Sequence, residues 1–375
     1  MKKRIVSLLC AAALVLSLAG CALSSSPETV GTIGDTTIST GMYLLSQYQG
    51  YFSAVDLASK EPLPEDETAP DYSAMSVKDF LKETVVVDGM EISGADLVDQ
   101  QTLKNVQYYA AVNAAFSALN GELTPEQLAQ AEADAKSVWE SGKELYEKNG
   151  FSLATIQEYQ YTLHKASMLI DLVYGENGSE AVSQDELLAH LGEDIWYVHS
   201  ATIPLYNTAN FQIVEENVTK VKELGQKMLD DFNAQRETAE SPYQLFADLA
   251  KETLPRGYEI VGNTYEGTDP VVPDLLNDSM VDNYFGTESG AKIRDLQDGD
   301  VVMLDDSGYA LEFFQRVDPV AANEWTPDLN EQFLFAAFSE HLQSALLEYG
   351  ESLTNGLDTS VMKKLPASKI VPTLG

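Results

Sequence analysis

After residue 21 the chain contains no cysteine; the two it has are Cys10 and Cys21. A body without thiols has no disulfide framework, no thiolate nucleophile and no cysteine-ligated metal. Basic residues are scarce as well: 23 Lys and Arg stand against 59 Asp and Glu, a net charge of −36. That balance repels a phosphate backbone, which excludes nucleic acid as a partner, and it repels anionic lipid heads. It serves solubility, and it leaves basic, unfolded chains as the polymers the protein attracts. The four histidines are His164, His190, His199 and His341, and no two have the spacing of metal ligands. Asp305-Asp306 reads as turn chemistry, not as a calcium site. There is no Gly-x-Ser-x-Gly, no phosphate-binding loop and no cofactor motif. No apolar run reaches the roughly 20 residues a membrane span needs, and there is no internal repeat.

What is present begins at the N-terminus. Lys2, Lys3 and Arg4 precede an apolar run from Ile5 to Leu18, which ends in Leu18-Ala19-Gly20-Cys21. A charged start, a short apolar core and small residues before a cut site define a signal peptide, residues 1–20. Leu-Ala-Gly-Cys resembles the bacterial lipobox. That resemblance implies cleavage before Cys21, acylation of its sulfur, and an extracytoplasmic protein held to the cell membrane by its acyl chains. Two or more chains anchor stably where one does not. Residues 21–29, rich in Ser, then read as a lipidated tether.

The body exceeds the usual size of one core, which predicts two domains. Residues 30–195 read as a helical domain with a small extended entry over Val30–Ser39. Helices are expected over Thr40–Leu57, Gly94–Leu119, Thr124–Asn149 and Ser152–Tyr174, with a short one opened by Ser183. Thr124-Pro125-Glu126-Gln127 and Ser183-Gln184-Asp185-Glu186 are capping boxes. Lys60–Ser76 reads as an exposed loop, and Thr84–Ser93 carries no assignment. The pattern changes at Trp196. Tyr197–Leu205 reads as a strand, followed by helices over Ile213–Asn233 and Pro242–Glu252. An irregular stretch follows to Pro273, then mixed helix over Asp274–Leu296. Val301–Leu304 and Tyr309–Val317 form a hairpin. Residues 196–320 are therefore an α+β domain with an antiparallel sheet. Residues 321–375 carry a helix from Thr326-Pro327, apolar over much of its surface. The helical N-terminal domain is its expected partner, which makes the α+β domain an insertion in one helical body.

This arrangement resembles the PrsA/SurA family of extracytoplasmic foldases, in which a helical chaperone domain carries a parvulin-type prolyl isomerase domain. Val30-Gly31-Thr32-Ile33-Gly34-Asp35 resembles the family's opening strand pair. Ser200-Ala201-Thr202-Ile203-Pro204-Leu205 resembles the first parvulin strand, and Phe246-Ala247-Asp248-Leu249-Ala250 its Phe-x-x-Leu-Ala helix. Leu296-Gln297-Asp298-Gly299-Asp300-Val301 resembles its Leu-x-x-Gly-x-Val turn, and Gly308-Tyr309 the start of its last strand. The lipobox fits the PrsA branch. The resemblance implies newly exported or unfolded polypeptides as partners; nothing in the sequence excludes a homodimer.

Rotation about a prolyl amide is opposed by partial double-bond character, a barrier of about 18–20 kcal/mol. A catalyst needs an apolar pocket for the ring and groups that favour the twisted amide. Parvulins use two histidines on adjacent strands with a neighbouring Cys or Asp. The positions that match them here are Thr202 and Ala310. His199, the one candidate imidazole, lies three residues from Thr202, and an odd shift along a strand places it on the opposite face; a register slip or bulge would bring it back, still without a second histidine. The resemblance therefore implies a foldase or holdase with a degenerate isomerase domain. An active isomerase of unusual composition, and a surface lipoprotein dedicated to one peptide or protein partner, remain as alternatives.

Overall fold

The computed structural model describes residues 28–60, 70–305 and 307–374; the expected signal peptide and Cys21 lie outside the described residues. The chain folds as an α+β protein in two units. One comprises residues up to Leu172 together with Leu342 onward; the other is Val173–His341. The divisions between these units fall at 172/173 and 341/342. The short helix α6 (Gln184–Ala189) thus goes with the sheet unit, and the last long helix, α10 (Pro327–Ser352), contributes to both units.

The first unit opens with a hairpin, β1 (Thr29–Ile33) and β2 (Thr36–Ser39), that runs directly into α1 (Thr40–Lys60). After a short α2 (Val77–Phe80) comes a second hairpin, β3 (Thr84–Val87) and β4 (Met90–Ser93), in the stretch that carried no assignment. Three long helices follow: α3 (Gly94–Ala118), α4 (Pro125–Asn149) and α5 (Leu153–Tyr174). The capping box at Thr124 forms as expected. Its hydroxyl accepts from Gln127 N at 3.2 Å, while the Gln127 side chain accepts from Thr124 N at 2.9 Å. Gly150 stops α4 in the left-handed region, at φ 83°. Helices α1 and α3 pack tightly because Gly50 has no side chain: a Cβ there would lie 2.8 Å from the Thr102 backbone nitrogen. The core joins Val30, Ile33 and Ile38 of the hairpin to Met42, Val106 and Phe151. Each such side chain contributes about 1.5–3 kcal/mol by leaving water. The C-terminal segment completes the unit. Strand β9 (Asn355–Leu357) pairs with β1 to give the sheet order β2-β1-β9, and α11 (Thr359–Met362) follows it.

The second unit is built on β5 (Ile195–Pro204), the central strand of an antiparallel sheet of order β6-β5-β8-β7. Its partners are β6 (Val272–Asn277), β7 (Val301–Leu304) and β8 (Ala310–Arg316). Side chains alternate along a strand. Ala201, Ile203 and Leu205 point to one face, buried under α7 (Glu215–Gln235) and α8 (Pro242–Ile260) with Phe232, Phe246 and Phe313. Trp196 and Val198 point to the other, buried with Phe314, Val281 and Ile293 under α9 (Asp278–Arg294).

Two expectations for this unit are corrected. The helix from Pro242 does not end at Glu252 but continues through Pro255 to Ile260. Leu254 and Gly257 are buried there, and a Cβ on Gly257 would lie 2.6 Å from Ile203, so packing on β5 outweighs the proline. The stretch from Asp274 is not all helix: Val272–Asn277 is the sheet's outer strand, where Pro273 is tolerated because an edge residue can forgo a donor.

Candidate functional site

The sheet register puts Thr202 and Ala310 on one face. Thr202 lies opposite Glu312 across β5 and β8, and Pro204 lies opposite Ala310. Directly opposed residues share a face, so Thr202, Glu312 and Ala310 form one patch. It continues the face that α9 covers further along. Thr202 is exposed, and Glu312 and Ala310 are half-buried. The two positions expected to be neighbours are therefore brought together. The patch offers one hydroxyl, one carboxylate and a methyl group, and none of its residues is an imidazole or a thiol. Glu312 was not singled out from sequence; its place opposite Thr202 depends on the β5–β8 register, which only the paired sheet reveals.

His199 is placed elsewhere. It points to the opposite face from Thr202 and is 6% exposed. Its Nε2 lies 2.9 Å from Glu324 Oε2, and the Tyr197 hydroxyl donates to that same oxygen at 2.8 Å. With Nε2 carrying the proton, the ring donates to the carboxylate. Nδ1 is buried with no hydrogen-bond partner among the described residues. Burial first, and then its bond to Glu324, hold the Tyr197 phenol well above its ordinary range. This trio fastens the segment before α10 to β5, and His199 has no access to the Thr202 patch.

The other three histidines sit on helices or at a helix end. His164 lies 3.4 Å from Asp134, and His190 lies 3.0 Å from Asp194. His341 packs near Tyr174, at 6.4 Å between ring centroids. Among the described residues no group of three or more His, Cys, Asp or Glu is placed to hold a metal ion.

Next to Ala310 the surface turns aromatic. Tyr206 follows the end of β5, and Tyr309 precedes β8. The Tyr206 ring stacks on Phe211 at 5.8 Å and 14°, and it meets Tyr309 edge-on at 6.4 Å. Phe211 is 77% exposed and Tyr309 64%. Sequence reasoning noted Tyr309 only as a strand start and passed over Tyr206 and Phe211, because Tyr206 to Phe211 has neither strand nor helix periodicity. The helical unit offers concavity instead. One cleft of about 620 Å³ is lined by Leu44, Lys148, Lys364, Leu365 and Ile370, and another of about 730 Å³ by Tyr43, Ile92, Leu103, Leu357 and Met362.

These features define an α+β protein with a helical unit and an antiparallel sheet unit, whose open sheet face holds a hydroxyl and a carboxylate. No family profile matches the chain, and no curated protein matches it. Among solved structures, the foldase protein PrsA from Streptococcus pneumoniae str. Canada MDR_19A is similar over 76% of this chain and 91% of that chain, at 13% identity and a TM-score of 0.28. No residue role is carried across a similarity of that size.

Proposed function

We propose that this chain is a lipid-anchored, extracytoplasmic holdase of the foldase type, which binds exported polypeptides and does not isomerise them. The observation that carries the second half is the separation on β5: Thr202 and Ala310 share an open face, while the imidazole of His199 is buried on the other and bound to Glu324. Isomerisation needs groups that favour the twisted amide at the ring's own position, and at the matched positions the register sets Thr202 and Glu312 beside Ala310. Exposed aromatic rings and apolar-lined clefts support the holding role, since both bind unfolded chain without chemistry. The leader and Leu18-Ala19-Gly20-Cys21 support the anchor.

The test pairs two assays on the full chain. It is expected to suppress aggregation of several unrelated unfolded proteins and to leave the isomerisation rate of a proline peptide at its uncatalysed value. Protection of a single protein only would favour a dedicated binder. Acceleration that is lost in His199→Ala would overturn the degenerate-site reading; acceleration lost in Glu312→Gln would assign an unusual isomerase. For the anchor, Cys21→Ser is expected to abolish incorporation of labelled palmitate and to move the protein from the membrane fraction to the soluble one.

A further inference from the structure

The loop from Tyr206 to Val214 is built to hold an aromatic ring outward. Phe211 sits at φ 57°, a left-handed conformation that a bulky side chain rarely adopts. The backbone around it is over-determined. Phe211 N donates to Asn207 O at 2.7 Å, and Asn207 N to Gln212 O at 2.9 Å. The Asn207 side chain donates to Gly262 O and accepts from Ala209 N, while Asn263 accepts from Thr208 N and donates to Tyr206 O. Strain retained by such a network, at a ring that stacks on Tyr206 and is 77% exposed, is the pattern of a binding site and not of a core.

The segments that carry the rings have acidic residues and no basic ones. The three segments that meet here, 205–216, 257–270 and 307–310, contain Glu215, Glu216, Glu259, Glu266 and Asp269 and neither Lys nor Arg. Lys220, Lys222 and Arg256 stand just outside them in sequence; Lys220 is bound to Glu216 and Lys222 to Asp305, each at 2.6 Å, which leaves Glu215, Glu259, Glu266 and Asp269 as the acids of these segments. Exposed rings amid carboxylates favour a partner that brings cations, because an Arg or Lys head over an aromatic face is attracted both by the ring and by the acids beside it. A second copy of this chain, at net charge −36, and an anionic membrane are both repelled by the same field.

We propose that the Tyr206–Phe211–Tyr309 cluster is the docking surface for an extended basic polypeptide segment, whose Lys or Arg side chains lie over the exposed rings. This rests on the holdase reading and names the class of client it selects.

The experiment uses the full chain and fluorescein-labelled twelve-residue peptides in fluorescence anisotropy. One peptide carries four lysines and two prolines; in its counterparts the lysines are replaced by glutamine or by glutamate. The lysine peptide is expected to bind, at least tenfold more tightly than the glutamine peptide, and to weaken with salt. Phe211→Ala and Tyr309→Ala are each expected to weaken it at least fivefold, and Phe211→Trp to retain it. Phe211→Asn, which suits the left-handed backbone, is expected to lose binding with its melting temperature unchanged, which separates loss of the ring from loss of the fold. Equal binding by the parent and Phe211→Asn, or equal binding of all three peptides, would overturn the proposal. So would self-association or binding to phosphatidylglycerol vesicles that Phe211→Asn abolishes. If Phe211→Asn still suppresses aggregation as well as the parent, this inference fails and the holdase reading stands. If the lysine peptide binds through Phe211 but no client is protected, the holdase reading fails and this site stands.

Discussion

Buried phenols govern how the helical unit responds to alkali, and Tyr43 is one of them. Burial first, and then the nearby carboxylate of Asp99, push the Tyr43 hydroxyl up to about 12, with a hydrogen bond to Gln47 acting in the opposite sense. The unfolded chain releases that proton near 10, so between the two values the unfolded state binds fewer protons than the folded one. Stability is therefore intact below about pH 10 and falls as pH rises toward 12. Denaturant melts at pH 8 and pH 11 are expected to show this loss, and Tyr43→Phe to reduce it. Glu324 makes a second residue-scale case. It accepts from both Tyr197 and His199 at one oxygen, and its removal leaves two polar groups on β5 without their acceptor. Glu324→Ala is expected to cost about 1–3 kcal/mol in a urea melt. The opposite-face placement of His199 was legible from parity along the strand; its carboxylate partner, 125 residues away, was not.

Among the elements, the helices were the most legible, because caps are local. Ser93, Thr124 and Ser183 each accept from a backbone N–H three residues on, and a tetrapeptide suffices to announce that bond. The hairpin of β3 and β4 was legible too: Asp88 and Gly89, at φ 52° and 72°, form a turn of the Asp-Gly kind between apolar stretches. Its sequence signal was present and was passed over. Strands β6 and β9 were not legible, since β6 contains a proline and β9 is three residues long; each exists because a neighbour supplies its partners. Helix α8 shows the same override in a form that can be measured. Pro255 is exposed, interrupts the backbone bonding of a helix held by Leu254 and Gly257, and is replaceable without touching that core. Pro255→Ala is expected to stabilise the protein by about 1–3 kcal/mol, read as a higher denaturant midpoint.

For the whole molecule the governing quantity is charge. With 59 acidic and 23 basic side chains, self-repulsion opposes the compact state. The ion pairs that salt would weaken are mostly exposed neighbours within a helix, such as Lys60–Asp56 and Lys220–Glu216, and pairs so exposed contribute little to stability. Screening shortens from about 10 Å at 0.1 M salt to about 3 Å at 1 M. Melting is therefore expected to occur a few degrees higher in 1 M than in 0.1 M sodium chloride by calorimetry, while binding of a basic peptide at Phe211 weakens over the same range.

What the sequence determined by itself was everything carried by short-range chemistry or by composition. That includes the helix starts, the β7–β8 turn, the acidic field, and the face on which His199 falls. What only the tertiary structure decided was which residues become neighbours across long stretches of chain. It set Glu312 opposite Thr202, bound Glu324 to His199, brought β9 to β1, and gathered Tyr206, Phe211 and Tyr309 into one exposed cluster. The physical reason is that a cap or a turn closes within about four residues, whereas strand register and ring clusters are selected by how both sheet faces fill at once.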